Sequence, residues 1–476
     1  MSCVKDIFLW RQSLVLLSDC IHSVGTGLML SFPAVLNPSI LSPKSSEFTV
    51  TPDEASWIAA SHGFAGVFGF CIIPPLMQIF GRKFAFFCMN ILVGVGFLIF
   101  YLANSAAALY AARIIQGLAL CGVYITAIVL AEYCHPKRRG MFITIKKASV
   151  AIGSLMCHAL ALYWTWRQIA LIAIFPHIAS FIVTCLWHES PAFLAMKGRY
   201  DKCDEAYIYL HGDTPKNRKD LEELITAQQE RRQKSKHEKK DRLLVFLKQL
   251  LQKDFLRSFT IVSILTMIID ACGRYYMLAY IVEILVEITG DKSVAVYCTV
   301  GSDVLTIIAL SMSCFIIRSF KRRTILFTAG TLSVLLMFST SLLTFLKTGY
   351  GISILSWLTP VIILLNVFIV NAGVVPVCFT IIGEILPLEH KGIGACTTGI
   401  VFTILYALVM KLTPMMMEKT GIVGTFSIYG VCVLVGLVTL YFVLNETKDK
   451  TLLEIENEIK GNKKESAIPN NKRLLS

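Results

Sequence analysis

The stretch that decides the fold is Gly383-Glu384-Ile385-Leu386-Pro387-Leu388-Glu389-His390-Lys391-Gly392, because a related stretch, Ala-Glu-Tyr-Cys-His-Pro-Lys-Arg-Arg-Gly, runs from Ala131 to Gly140. Each places a glutamate after an apolar run and a glycine eight residues later. Basic runs occur at matching places, Gly81-Arg82-Lys83 and Lys321-Arg322-Arg323. An acid and basic residues one loop apart at a membrane boundary can form a breakable ion pair. The repetition predicts two related half-bundles.

Composition places the chain in a membrane. Its 476 residues are 55% hydrophobic and only 16% charged, and the mean hydropathy is +0.65. Soluble domains average nearer a quarter charged residues. The net charge of +13 lies in loops and tail, so membrane orientation explains it better than nucleic acid does. The 15 cysteines show no paired spacing and are interpreted as buried apolar residues, so neither a metal nor a cofactor is predicted.

The apolar runs predict an all-α membrane protein with twelve membrane-spanning helices in two six-helix bundles and a cytoplasmic helical linker. Basic residues cluster in alternate loops, which places both termini and the linker on the cytoplasmic side. The predicted domains are 1–187, 188–257, 258–444 and the tail 445–476. The predicted spans are 13–36, 56–79, 84–104, 107–132, 141–163, 168–187, 258–288, 294–317, 324–346, 352–383, 393–417 and 422–444.

Arg113 lies early in the fourth predicted span. An arginine inside a membrane is costly to bury and usually faces a partner or water. We interpret Arg113 as a functional or gating residue, with snorkelling of its side chain to the interface as the alternative.

Six motifs taken together resemble those of the sugar-porter branch of the major facilitator superfamily, and within it the insect facilitated trehalose transporters. The resemblance covers roughly residues 13–456. The motifs are Ser56-Trp57-Ile58, Gly81-Arg82-Lys83, Glu132 through Arg139-Gly140, Glu189-Ser190-Pro191, Gly383 through Pro387, and Glu446-Thr447-Lys448.

The resemblance implies alternating access, in which two bundles rock about a sugar site near the midplane. It also implies that charged residues on the cytoplasmic face hold the inner gate shut. The residues at those positions are Arg82, Glu132, Arg139, Glu189, Arg318, Arg322, Glu384 and Lys391. The family's acid before Arg318 is Ile317 here, so one part of the second gate departs from the pattern.

The implied substrate site departs further from the family. Gly273, Tyr280 and Pro376 match, whereas the glutamines of the seventh span become Ile269 and Asp270. Amide side chains suit sugars because each offers a donor and an acceptor to neighbouring hydroxyls, so their loss predicts an altered site. The candidate substrate-binding residues are Lys147, Asp270, Gly273, Tyr275, Tyr280, Pro376 and Phe379.

Lys147 and Asp270 both replace neutral residues of the family and carry opposite charges. One hypothesis is that they pair across the cavity, because an isolated charge there would be expensive. The alternative is that Lys147 belongs with Lys146 to the cytoplasmic end of its helix and Asp270 pairs with Arg274.

Three functions follow as hypotheses. The first is a facilitative carrier for trehalose or a hexose, acting as a monomer in the plasma membrane. The second is a proton-coupled symporter, although Gly27 stands where family symporters place an acid. The third is a non-transporting sugar sensor. No phosphate loop or recognisable nucleophile set supports an enzyme. The expected partners are a small sugar and the lipid bilayer, with no nucleic acid.

Overall fold

The structure is a computed structural model that describes residues 2–41, 50–134, 139–237, 253–351, 355–385 and 391–448. Within these ranges regular structure is helical throughout. The first-half helices are α1 Ser2–Ile40, α2 Pro52–Phe80, α3 Arg82–Leu102, α4 Ala106–Leu118, α5 Gly122–Tyr133, α6 Arg139–Leu160 and α7 Trp166–Cys185.

Three more helices follow: α8 Pro191–Met196, α9 Tyr200–His211 and α10 Pro215–His237. Leu194, Cys203 and Leu221 are buried together between them. The second half contains α11 Lys253–Ala271, α12 Tyr276–Thr289, α13 Lys292–Ser319, α14 Arg322–Tyr350, α15 Leu355–Ile369, a π-helical turn Val370–Val374, α16 Val375–Ile385 and α17 Lys391–Val443.

Ten helices in the described part of the chain are long and apolar enough to cross a membrane. Length and composition therefore support a polytopic helical protein but do not reproduce the predicted count of twelve. One difference is α6, which covers the predicted fifth span but is not among the ten. Lys146 and Lys147 lower its mean hydropathy. The other is the run Cys396–Val443, which contains both predicted final spans and is broken where Gly421 adopts a φ of 65°.

The closest helix packing inside the first half is between α1 and α6, where two glycines face each other. A Cβ on Gly27 would lie 2.0 Å from the carbonyl oxygen of Val150. A Cβ on Gly153 would lie 2.0 Å from the carbonyl oxygen of Val24. No larger side chain fits between these backbones, so the small residues set the distance between the helices.

The two halves meet along two long helix pairs, α2 with α17 and α6 with α13, and α1 also packs on α12. The buried apolar core is continuous across them. The structure is therefore closed along the line where the halves meet.

Candidate functional site

A charged cluster joins the start of α3 to the end of α5 and the segment after α7. Arg82 donates from Nε and from Nη2 to the two oxygens of Glu132, each at 2.8 Å. The backbone N–H groups of Arg82 and Lys83 donate to Glu189 at 3.0 and 3.3 Å. The Ser190 hydroxyl donates to Glu132 at 2.6 Å. Glu189 thus lies at the N-terminus of α3, where the helix dipole favours a negative charge.

The second half repeats this arrangement at the start of α14. Arg322 donates from Nη2 to Glu384 Oε1 at 3.3 Å. The backbone N–H groups of Arg322 and Arg323 donate to Glu446 at 3.0 and 3.1 Å. Glu446 follows the last helix of its half, as Glu189 follows the last helix of the first half. The repeat read from the sequence therefore corresponds to two equivalent charged clusters.

The acids after the last helix of each half differ in their surroundings. Burial raises the pKa of Glu189, although three backbone N–H groups donate to it. Partial burial also acts to raise the pKa of Glu446. The hydrogen bonds from four backbone N–H groups have the larger effect, so the pKa of Glu446 is lowered. Sequence reasoning quoted Glu446 as part of a motif but did not place it in the gate. Glu446 follows the twelfth predicted span as Glu189 follows the sixth. This matching position could have identified Glu446 as a residue of the second charged cluster.

The two clusters bring together five predicted gating residues, Arg82, Glu132, Glu189, Arg322 and Glu384. Each of the two arginine–glutamate pairs lies within one half. In this conformation they hold helices together inside a half and do not join one half to the other.

Three further residues were predicted for the inner gate: Arg139, Arg318 and Lys391. Arg318 has an exposed side chain, and its backbone carbonyl accepts a hydrogen bond from Lys448 Nζ at 3.0 Å. The side chains of Arg139 and Lys391 lie outside the described residues.

Arg113 is fully enclosed, with 1% of its surface exposed. Its Nη1 donates to the carbonyl oxygen of Met29 at 3.1 Å and to Gln116 Oε1 at 3.4 Å. The guanidinium lies 5.6 Å from the centre of the Phe100 ring. The side chain does not snorkel to the interface, so the predicted alternative does not apply in this conformation.

Neither pairing considered for Asp270 occurs. Both carboxylate oxygens of Asp270 are buried without a hydrogen-bond partner in the described structure. Lys147 places its Nζ 5.4 Å from the centre of the Phe379 ring. Arg274 donates instead to Asn371 Oδ1 at 2.8 Å. Lys147 therefore reaches the second half through an aromatic ring and not through Asp270.

The other predicted substrate residues lie where helices of the second half are interrupted. Gly273, with a φ of 105°, lies in the break between α11 and α12. Pro376 follows the π-helical turn Val370–Val374 and has no N–H to continue the helix ladder. Interrupted helices are common at functional sites in membrane proteins.

Two predicted tyrosines of the second half are buried near α17. The Tyr280 hydroxyl donates to the Met410 carbonyl at 2.7 Å. The Tyr275 ring centre lies 5.4 Å from those of Phe402 and Tyr406. These rings fill the region where α12 meets α17.

A small cavity of about 20 Å³ lies beside these breaks. Its polar lining comes from both halves: His158, Arg274, Ser302, Asp303, Thr306 and Asn371. Sites for small ligands usually have several hundred Å³. This cavity is much smaller and has roughly the volume that one water molecule needs.

A buried pair crosses the interface between the halves at this cavity. His158 Nδ1 of α6 lies 2.6 Å from Asp303 Oδ2 of α13, and the two side chains are 2% and 3% exposed. Sequence reasoning missed His158 and Asn371. Contacts between residues 145 positions apart leave no local sequence signal.

The comparisons with known proteins agree with this architecture. Residues 26–459 match the family described as "Sugar (and other) transporter". The chain belongs to this family. The prediction of a transporter rather than an enzyme agrees with that membership.

Several insect proteins are similar over nearly the whole chain. The facilitated trehalose transporter Tret1 of Drosophila pseudoobscura pseudoobscura is 23% identical over 473 residues, which are 99% of this chain and 54% of the relative. Tret1 of Polypedilum vanderplanki is 24% identical over 99% of this chain and 92% of its own length. The chain spans about half the length of the Drosophila relatives and nearly all of the Polypedilum one.

Solved structures share the fold. The proton:xylose symporter XylE bound to 6-bromo-6-deoxy-D-glucose superimposes with a TM-score of 0.73 at 16% identity, covering 95% of this chain and 99% of that one. The inward-open xylose transporter XylE from E. coli gives 0.72 at 16% identity, with the same two coverages. The fold is that of the major facilitator superfamily.

Proposed function

We propose that the chain is a sugar transporter that works by alternating access and lets trehalose or a hexose equilibrate across the plasma membrane. Family membership supports the sugar, and the names of the insect relatives support trehalose and facilitation. The observation that supports alternating access is a small polar cavity where His158 of the first half meets the second half, together with the two helix pairs along which the halves are in contact.

The contacts between halves occur at two levels of the membrane in the proposed orientation. At the outer level His158 meets Asp303, and Lys411 of α17 pairs with Asp53 at the start of α2. Lys411 also donates to Ser56 at 2.8 Å. These outer contacts are polar and partly ionic, so breaking them exposes groups that water can solvate.

The inner level has weaker contacts between the same helix pairs. Thr144 Oγ1 of α6 lies 2.8 Å from Cys314 Sγ of α13. Cys396 Sγ of α17 lies 3.6 Å from the carbonyl oxygen of Phe70 in α2. Separation at one level while the other stays closed would open the cavity to one side at a time, which is the step that alternating access requires.

The domains in this proposal are the two six-helix halves 1–187 and 258–444, twelve spans in all, with the cytoplasmic helical linker 188–257 and the tail 445–476. The helix α6 serves as the fifth span, and the break at Gly421 separates the eleventh from the twelfth. Both termini lie in the cytoplasm, and the transporter acts as a monomer.

We assign two roles to the predicted site residues. The clusters around Arg82 and Arg322 keep each half rigid at the cytoplasmic boundary as it rocks. Lys147, Asp270, Gly273, Tyr275, Tyr280, Pro376 and Phe379 contribute to the sugar site, together with the cavity residues His158, Asp303 and Asn371. The polar cavity residues offer the donors and acceptors that sugar hydroxyls need.

Proton-coupled symport is the second candidate. Asp270 has buried carboxylate oxygens without a hydrogen-bond partner in the described structure, and such acids inside a membrane often take part in proton relays. Facilitation is favoured because Gly27 replaces the acid of family symporters and packs directly on α6.

Counterflow in proteoliposomes tests the transporter proposal. Vesicles preloaded with unlabelled trehalose or glucose, without any ion gradient, are expected to take up the labelled sugar transiently above its external concentration. Protein-free vesicles provide the control. A sensor that binds sugar without moving it would give no transient accumulation, which would refute the proposal.

A further inference from the structure

Two cations from opposite halves lie on one group of aromatic rings where the halves meet. Lys147 of α6 lies over the ring of Phe379 in α16, with Nζ 5.4 Å from the ring centre. The guanidinium of Arg274, between α11 and α12, lies 5.9 Å from the ring centre of Tyr275. Both side chains are half-buried. Two like charges inside a membrane protein repel each other, so this arrangement is costly without a partner.

Neither cation has an acidic partner among the residues that the structure describes. Lys147 makes no ion pair there, and Arg274 donates to the neutral side chain of Asn371 at 2.8 Å. The nearby acids do not compensate them. Asp303 is engaged by His158, and both oxygens of Asp270 lack any partner. No acid among the described residues therefore pairs with either cation, which leaves room for an anionic group of a ligand.

Aromatic rings lie between the two cations. Phe379 lies 6.1 Å from Tyr124, and Tyr124 lies 5.4 Å from Phe402, measured between ring centres. The ring of Tyr275 lies 5.4 Å from Phe402 and 5.9 Å from the Arg274 guanidinium. Ligand sites combine such apolar surfaces with a few polar groups that fix orientation.

We propose that the transporter also accepts, beside neutral sugars, a sugar carrying a negative group, a carboxylate or a phosphate, and that Lys147 and Arg274 bind this group from opposite halves. Arg274 supplies a planar fork that suits two oxygens, and Lys147 supplies a mobile point charge. The aromatic rings provide an apolar surface for the sugar ring. The inference rests on the proposed function, because it names the substrate class for the same site.

Such a ligand would also couple binding to closure. An anion bound between the halves interacts with both cations only when α6 and α11–α12 are close together. A ligand shifts a conformational equilibrium by the difference in its affinity for the two states. The anion therefore stabilises the closed state and relieves the repulsion between the cations.

The test is uptake into proteoliposomes of labelled glucuronate, glucose 6-phosphate, glucose and trehalose. We expect at least one of the two charged sugars to be taken up, and to compete with the neutral ones at roughly tenfold lower concentration or less. Comparison of glucuronate with glucose 6-phosphate distinguishes a carboxylate from a phosphate substrate.

Variants locate the binding group. Lys147→Gln and Arg274→Gln are each expected to raise the KM for the charged sugar roughly ten- to hundredfold, because each removes a charge-assisted hydrogen bond. Lys147→Arg and Arg274→Lys keep the charge and are expected to retain most of the affinity, which separates charge from folding. Lys197→Gln, an exposed cation after α8, is the matched control and is expected to change nothing.

The outcomes separate the inference from the proposed function. Uptake of glucose or trehalose that neither charged sugar inhibits would overturn the inference and leave the transporter intact. Absence of uptake and counterflow for all four sugars would overturn the proposed function and the inference with it. Equal loss of charged and neutral sugar uptake in both Gln variants, with no rescue by the charge-preserving ones, would also overturn the inference.

Discussion

The pair between His158 and Asp303 gives the most specific prediction about movement of the two halves. We consider three variants: His158→Leu, Asp303→Leu and the double variant. The pair is almost completely buried, with 2.6 Å between Nδ1 and Oδ2. Removal of one partner leaves the other buried without compensation, which typically costs about 3–5 kcal/mol. Replacement of both removes the uncompensated group, so the double variant recovers much of that cost.

The cost applies only while α6 and α13 are packed together. When the halves separate at this level, the remaining side chain faces water and the penalty disappears. Each single variant therefore shifts the equilibrium from the closed state toward the outward-open state by about 3 kcal/mol. Since 1.4 kcal/mol corresponds to a factor of ten, the open population rises on the order of a hundredfold.

Cys157 reports this opening directly. It precedes His158 in α6 and is completely buried in the closed structure. The assay uses a chain in which Cys157 is the remaining cysteine, expressed in intact cells and treated with a membrane-impermeant maleimide. The labelling rate follows the open population when opening and closing are fast.

The single variants are expected to label on the order of a hundred times faster than the parent, and the double variant at an intermediate rate. A labelling rate that is the same in all four proteins would refute the reasoning. So would a double variant that labels faster than both single variants.

Three further predictions concern packing and the charged clusters. Gly153→Ala places a Cβ against the α1 backbone and is expected to lower stability by about 2 kcal/mol or more, as measured by thermal unfolding in detergent. Arg82 and Glu132 share two hydrogen bonds of 2.8 Å, whereas Arg322 and Glu384 share one of 3.3 Å. Double-mutant cycles that replace each residue with glutamine are therefore expected to give a larger coupling energy for the first pair than for the second. Glu446→Gln is expected to lower the unfolding temperature at neutral pH but not under acid conditions.

The sign of the last prediction follows from the lowered pKa of Glu446. Its contribution to stability is fully present above the pKa of the unfolded state, about 4.3 for glutamate, and is lost as the pH falls through the lower folded value. The difference between the wild type and the variant is thus expected to shrink below about pH 4. A difference that grows on acidification would contradict the assignment.

The packing prediction has a matched control. A Cβ on Gly301 in α13 meets no atom within 4 Å. Gly301→Ala is therefore expected to leave stability unchanged or raise it slightly, because alanine favours helix more than glycine does. Equal destabilisation by the two substitutions would contradict the account of the α1–α6 contact. For the charged clusters, the contrary result is a coupling energy that is equal or larger for Arg322–Glu384.

The parts predictable from the sequence are those with a repeat or a local signal. The equal spacing after Glu132 and Glu384 predicts two related halves, and the basic residues Arg82 and Arg322 lie beside those acids in the structure. The predicted count of twelve spans is not reproduced by length and hydropathy, which give ten in the described residues. Lys146 and Lys147 lower the mean hydropathy of α6, so the fifth predicted span stays a prediction.

The central site could not be read from the sequence in the same way. The opposite charges of Lys147 and Asp270 suggested a pair, but a pattern of charges does not fix which side chains point toward each other. In the structure Lys147 lies on Phe379, and the buried polar contact between α6 and the second half is made by His158 and Asp303. Such contacts depend on the packing angle of whole helices.

The measurement that tests the central claim most directly is the final level of sugar accumulation in proteoliposomes with an imposed proton gradient. Facilitation predicts saturable uptake that ends at equal internal and external concentrations of trehalose or glucose, whichever direction the gradient takes. Accumulation above the external concentration that disappears when a protonophore dissipates the gradient would contradict facilitation and establish symport. No saturable uptake of any sugar would contradict transport itself.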